Sequence, residues 1–253
     1  MPGSIIVATF LPSLTGISAA VAAFAINMVA SSILAKQFSN DSNLNSTGGD
    51  QLNPGSRLQI PPAGDNKIPV IYGSAYTGGT ITDVSITSDY QNLYYCLALC
   101  EVTNTENGGT PDTITFGNVY WGGKRVVFDG TGYVVASLLD ESTGLYDYSV
   151  AGKLEFYFYK NGSTNPTNSS FYAYSPQVMG NTNLVYKWDT TKLMSNCAFV
   201  IIKIRYSASA NLTGIQQTKF QVTNSRYAPG DCFSDYFFST RYGAAIPLSL
   251  IHI

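Results

Sequence analysis

Residues Ile68–Val102 read IPVIYGSAYTGGTITDVSITSDYQNLYYCLALCEV, and the fold class turns on how they divide. Ile68, Val70 and Tyr72 alternate with other residues up to Gly73. Ile81, Asp83, Ser85 and Thr87 then alternate with Thr82, Val84 and Ile86, and Leu93–Val102 is a longer, almost wholly apolar run. Alternation marks a strand with one buried face, whereas an uninterrupted apolar run bounded by turn residues marks a strand covered on both faces. Gly73-Ser74, Gly78-Gly79 and Ser88-Asp89 are the breaks, where the backbone can take positive φ or form side-chain-capped turns. The stretch predicts a meander of consecutive antiparallel strands, and with it a mainly β chain.

Downstream the same pattern continues. Thr113–Trp121 alternates, and WGGKRVVF (Trp121–Phe128) reads as a tight hairpin on a glycine turn. Tyr133–Leu138 adds a short strand and Asp140–Val150 reads as a loop. In KLEFYFYK (Lys153–Lys160), Leu154, Phe156 and Phe158 oppose Glu155, Tyr157 and Tyr159, which predicts a strand with an aromatic outer face. Asn161–Asn183, rich in Asn, Ser, Thr and Pro, is long for a connection and is a candidate partner-contacting loop. Leu184–Trp188, CAFVIIKIRY (Cys197–Tyr206) and Lys219–Thr223 complete the sheet. Residues 67–228 are thus expected to form one β-rich domain, a sandwich or barrel-like fold without internal repeats.

The flanks differ in kind. Residues 1–38 carry no charge until Lys36, and Ile17, Val21, Phe24 and Met28 recur at helical spacing. Beside them run the small or polar residues Gly16, Ala20, Ala23, Asn27 and Ser31, a candidate subunit-contact face on an Ala/Ser-rich α-helix. Membrane contact of this helix stays open, although Pro12 and Gly16 interrupt the run and no basic residue precedes it as an export signal requires. Residues 39–66, with Asn53-Pro54-Gly55 and Pro61-Pro62, read as a linker or arm. Residues 229–247 hold a short C-terminal helix over Asp231–Thr240, with Phe233, Tyr236 and Phe237 on one side and Asp231 near the positive end of the helix dipole. Gly243 is expected to supply a left-handed cap. LSLIHI at 248–253 matches what a commonly used library-preparation adaptor encodes in one frame. Those residues, His252 included, are expected to be adaptor-derived, and the native chain to run on past Pro247.

Composition narrows the function classes. The chain has 253 residues, enough for a sizeable core, but only 12% are charged. Such a surface must be solvated by Ser, Thr, Asn and Tyr or covered by other chains. The net charge of -2 supplies no basic field for nucleic acid. Eighteen Tyr against one His favour aromatic pairs and interfaces over metal or acid–base chemistry. Cys96, Cys100, Cys197 and Cys232 form no ligand spacing, so neither metal nor cofactor is expected. Cys96 and Cys100 are placed on the same face of one strand, too far apart along it for a bridge. Asn45, Asn161, Asn168 and Asn211 begin Asn-x-Ser/Thr triplets that follow from composition alone.

Two stretches carry a resemblance. PVIYGSAYTGG (Pro69–Gly79), with Pro69, Tyr72, Gly73, Gly78 and Gly79 in place and ALCEV following, resembles the early segment of tailed-bacteriophage tail-tip, central-fibre or baseplate-hub proteins, the lambda-like host-specificity proteins among them. PGDCFSDYFFSTRYGAAIP (Pro229–Pro247), with Asp235, Arg241, Tyr242 and Gly243, resembles a later helix and turn of the same proteins. Two motifs in the right order are more specific than either alone. The resemblance implies a structural virion component at the distal end of the tail, assembled in the host bacterial cytoplasm. It would be a homo-oligomer, a trimer by family expectation, in contact with other tail proteins. Contact with a host cell-surface receptor would lie in a C-terminal part beyond these residues.

Two rivals belong to other classes. A secreted or surface β-rich adhesin would use the N-terminal run for export. A tail-associated polysaccharide-degrading enzyme would use Asp231 and Asp235, at i and i+4 of one helix, or Asp140-Glu141, with a sugar platform of Tyr157, Tyr159, Phe171, Tyr172 and Tyr174. Acid enriched at a helix N-terminus and aromatic pairs across strands explain these residues without catalysis, no nucleophile-elbow, metalloprotease, P-loop or EF-hand pattern occurs, and the expectation is a non-enzyme.

Overall fold

The apolar strand of the opening stretch is the centre of the molecule. In the computed structural model, which describes residues 56–57, 67–106, 108–162, 178–180, 183–188 and 191–247, β4 (Asn92–Glu101) runs between β3 (Thr80–Ile86) and β10 (Cys197–Arg205), and β9 (Leu154–Tyr159) closes a four-stranded antiparallel sheet in the order β3-β4-β10-β9. From Leu93 to Glu101 every residue of β4 is buried, as expected of a strand covered on both sides.

The second sheet has seven strands. β1 (Ser56–Arg57), β2 (Ser74–Thr77), β11 (Thr218–Asn224), β5 (Ile114–Trp121), β6 (Lys124–Phe128), β7 (Val135–Asp140) and β8 (Leu145–Asp147) neighbour one another in that order, antiparallel except for β1 on β2. The two sheets pack face to face as a β-sandwich. Leu97, Phe156, Val200 and Ile202 of one meet Trp121, Val135, Phe220 and Val222 of the other in a single core. Phe156 lies edge-on to Trp121, Phe128 and Phe220, a geometry that ring quadrupoles favour.

Several expectations need correction. Ile68–Tyr72 is not the first strand of a meander, since Val70 makes only an isolated parallel bridge to Glu101 and the following strand, β2, belongs to the other sheet. Gly78-Gly79 is therefore a crossing between sheets rather than a hairpin turn. Cys96 and Cys100 do not share a face. The ladder pairs Phe199 with Ala98 but Ala198 with Cys100, so Leu99 is an extra residue, and the β-bulge reverses the alternation. Cys96 accordingly packs with Tyr94 and Ala98, and Cys100 with Leu97 and Leu99.

The aromatic outer face of β9 is not outer. Tyr157 and Tyr159 join Phe199, Ile201, Val178, Met179, Leu184 and Trp188 in a second buried cluster, because Val178, Met179, Leu184 and Trp188 lie over that face. The Asp140–Val150 loop contains β8, paired with β7. The predicted helix and contact face of residues 1–38, nearly all of the 39–66 arm, most of Asn161–Asn183 including Phe171, Tyr172 and Tyr174, and residues 248–253 lie outside the described residues.

Candidate functional site: a polar joint under the C-terminal helix

Ala228 is extended, Pro229 occupies the first turn, and α1 runs over Pro229–Phe238, two residues short of the predicted end. Pro is suited to a helix start because its missing N–H would have no partner there. Ser239 leaves the helix with φ -63 and ψ 125. Gly243 is not the left-handed residue; Ala245 is, at φ 52. The glycine is needed for a close approach instead. A Cβ at position 243 would stand 1.9 Å from the Tyr236 carbonyl oxygen. The returning chain donates from Ala244 N–H to Tyr236 (2.8 Å), Ala245 N–H to Ser239 (3.1 Å) and Ile246 N–H to Phe237 (2.8 Å), so carbonyls at the helix end find donors.

No residue of α1 is buried, so polar contacts hold the helix to the sandwich. At their centre is Asp235. Its Oδ2 accepts from the Tyr72 hydroxyl (2.7 Å) and the Tyr242 hydroxyl (2.7 Å), and its Oδ1 from the Asn104 N–H (3.2 Å). Burial first, and then the hydrogen bond to this carboxylate, push both tyrosine hydroxyls up from their ordinary value, so each remains a donor.

Three further contacts surround Asp235. Arg226 donates from Nε to Asp112 Oδ2 (2.6 Å) and from Nη1 to the Asp231 carbonyl (3.3 Å), joining the loop after β4 to the first turn of α1. Arg241 donates from Nε to Glu101 Oε2 (2.7 Å) at the end of β4. Glu106 accepts from the Thr240 N–H (3.0 Å) and from the Thr240 hydroxyl. Hydrogen bonds from Ser239 and Thr240 hold its carboxyl below its ordinary range. Beneath lies Asn224, whose side-chain amide donates to the Ile71 carbonyl (2.9 Å) and the Thr103 hydroxyl (2.9 Å) and whose Oδ1 accepts from Arg226 N–H (2.9 Å). A groove of about 260 Å³ opens between Asn104–Glu106 and Ser234–Ser239.

The predicted motif residues divide in two. Tyr72, Asp235, Arg241, Tyr242 and Gly243 come together here across more than 160 residues of chain. Gly73 adjoins them, donating to the Arg226 carbonyl (2.8 Å), and Pro69 accepts from the Glu101 N–H (2.9 Å). Gly78 and Gly79 serve the sheet crossing, where the Gly78 carbonyl accepts from the Thr218 hydroxyl (3.0 Å). Asp231 is exposed and contributes only its carbonyl, so Asp231 and Asp235 do not face one groove together. Asn104, Glu101, Glu106, Asp112, Arg226 and Asn224 were not legible as site residues. Their one sequence signal was a set of polar and charged residues at or just beyond strand ends, where solvated side chains are common. Asp235 has three donors on it, an arrangement that fixes its position.

Among the described residues no helix is long and apolar enough to cross a membrane. No family model matches the sequence, and no curated protein does. Among solved structures, a chain from the virion of a native gene transfer agent particle is similar at 13% identity and a TM-score of 0.37. The alignment covers 99% of this chain and 42% of that one, so the chain spans less than half of its neighbour's length. A likeness that loose transfers neither a fold nor a function.

Proposed function

We propose that the protein is a structural component of a bacteriophage virion, the hub-like part of a tail-tip or central-fibre protein, without catalytic activity. What supports this reading is one observation: the two stretches that resemble tail-tip proteins, far apart in the chain, meet in a single contact, Tyr72 and Tyr242 on Asp235. Residues that share a motif because they share a contact have a physical reason to occur together. The contact is a mechanical one, fixing the angle at which the chain leaves the sandwich through α1. In this reading copies associate as a closed ring, a trimer by resemblance, and bind other tail proteins. The charge-poor, tyrosine-rich composition suits such contacts.

The test is immunogold electron microscopy of tailed particles from the source culture, with antibody raised against the whole chain. Gold confined to the distal end of tails is the expected result. Label on capsids would remove the tail-tip assignment, and unlabelled particles would remove the virion role.

A further inference from the structure

A second cleft, of about 300 Å³, lies at the end of the four-stranded sheet opposite the polar joint, where β4 begins and β10 ends. Asp89, Gln91, Asn92, Glu155, Lys203 and Arg205 line it. Ladder register places most of these residues. Lys203 is opposite Glu155 of β9, and Arg205, two residues further along β10 and so on the same face, is opposite Asn92 of β4. The turn before β4 places the others. There the Thr87 hydroxyl and the Gln91 N–H donate to Asp89 Oδ1, and the Tyr90 N–H donates to the Thr87 carbonyl (2.8 Å).

Pairing inside the cleft is uneven. Lys203 donates to Glu155 Oε1 (2.7 Å) and the Tyr157 hydroxyl to Oε2, so both oxygens of that carboxylate are engaged. Arg205 is left over. Arg125, Arg226 and Arg241 each pair with a carboxylate, whereas the Arg205 guanidinium has no partner among the described residues, although two carboxylates line the same cleft. The side-chain amides of Gln91 and Asn92 and the Oδ2 of Asp89 are likewise unengaged there.

These unengaged groups define a ligand. A guanidinium fork holds a carboxylate through two parallel N–H groups. The two amides and the Asp89 oxygen beside it offer both donors and acceptors, which suits hydroxyls, since each hydroxyl donates and accepts. The Asp89 and Glu155 carboxylates repel a doubly charged anion such as phosphate. The volume is at the lower end for small-molecule sites, enough for about one sugar ring.

We propose that this cleft binds a single sugar acid, a monocarboxylate with neighbouring hydroxyls, its carboxylate on Arg205 and its hydroxyls on Gln91, Asn92 and Asp89. The inference does not rest on a virion role, so the immunogold result can fail while this one holds.

Titration of the isotope-labelled whole chain with glucuronate, followed through its amide NMR shifts, tests it. Saturable shifts of the Gln91, Asn92 and Arg205 amides are expected, with a Kd of about a millimolar for a ligand of this size. Acetate, glucose and inorganic phosphate should each bind at least about tenfold more weakly, and Arg205→Gln should weaken glucuronate by about the same factor. Arg205→Lys keeps the charge without the fork and should lose nearly as much. Absence of saturable shifts overturns the proposal, as does glucuronate binding that survives in either variant. Acetate or glucose binding as tightly as glucuronate would show that only half of the ligand is recognised, and phosphate doing so would make the cleft a general anion site; each overturns the sugar-acid assignment. Arg205 is exposed, and unchanged amide shifts in β5 and β11 of the other sheet would verify that both variants fold.

Discussion

Asp235 concentrates the polar joint in one side chain. Asp235→Ala leaves the Tyr72 and Tyr242 hydroxyls and the Asn104 N–H without their acceptor, and it should cost about 1–3 kcal/mol in the docking of α1. Asp235→Asn should cost less, because a tyrosine hydroxyl can accept from the new amide as well as donate. Exchange rates of the α1 amides would measure both, and equal rates in the two variants would refute this account of the site. The cysteines give a second prediction. Burial pushes the Cys96 and Cys100 thiols up to about 12 and raises Cys197 as well, whereas Cys232 is only half-buried. Since the thiolate is the nucleophile, alkylation of the folded protein near pH 8 should modify Cys232 alone, with the other three reacting only after denaturation. Tyr72, Asp235 and Tyr242 were legible in the sequence as motif residues. Their contact was not, because one third of it is a backbone N–H, and a backbone donor leaves no signature in composition.

Strands were the legible elements, and their interruptions were not. Leu93–Val102 and Cys197–Tyr206 announced themselves by apolar length, but the bulge at Leu99 is invisible in such a run, since every residue there is apolar whichever face it meets. The covered face of β9 was misread for a related reason: tyrosine serves buried and exposed positions alike, and the chain that covers it is distant in sequence. Glycines distinguish the two kinds of turn more sharply. Gly123, at φ +84 in the β5–β6 hairpin, has nothing within 4 Å of where a Cβ would stand. Gly123→Ala should therefore cost only the left-handed backbone penalty, about 1 kcal/mol. At Gly79, with φ +77 where the chain crosses between sheets, a Cβ would stand 3.1 Å from the Leu97 and Leu99 side chains. Gly79→Ala adds overpacking to the same penalty and should cost about 2–4 kcal/mol. Denaturant midpoints would order the two, and equal losses would mean that the crossing is less tightly packed than described.

The molecule as a whole has an apolar sandwich and a polar attachment, and pH should separate them. Asp89, Asp140 and Asp147 have lowered carboxyl values through hydrogen bonds to residues close in the chain, Thr87, Ser142 and Ser149 first among them. Glu106 differs because the hydroxyls that lower it, on Ser239 and Thr240, belong to the end of α1. A carboxylate with a depressed folded value stabilises the folded contact above its ordinary value, here 4.5, and the contribution disappears as pH falls through the folded value. Glu106 is largely solvated, so the effect should be modest and local. With no residue of α1 buried, the sandwich has little to lose when that contact goes. Lowering the pH from about 6 to about 3 should thus reduce protection of the α1 amides before that of β4 and β10. Glu106→Gln should flatten the acid sensitivity of α1, because the amide still accepts a hydrogen bond yet does not titrate in this range. Protection factors, corrected for the intrinsic pH dependence of exchange, would decide it. If α1 and β10 lost protection together in both proteins, the helix would have to be part of the cooperative core, and the view of α1 as a polar attachment would be wrong.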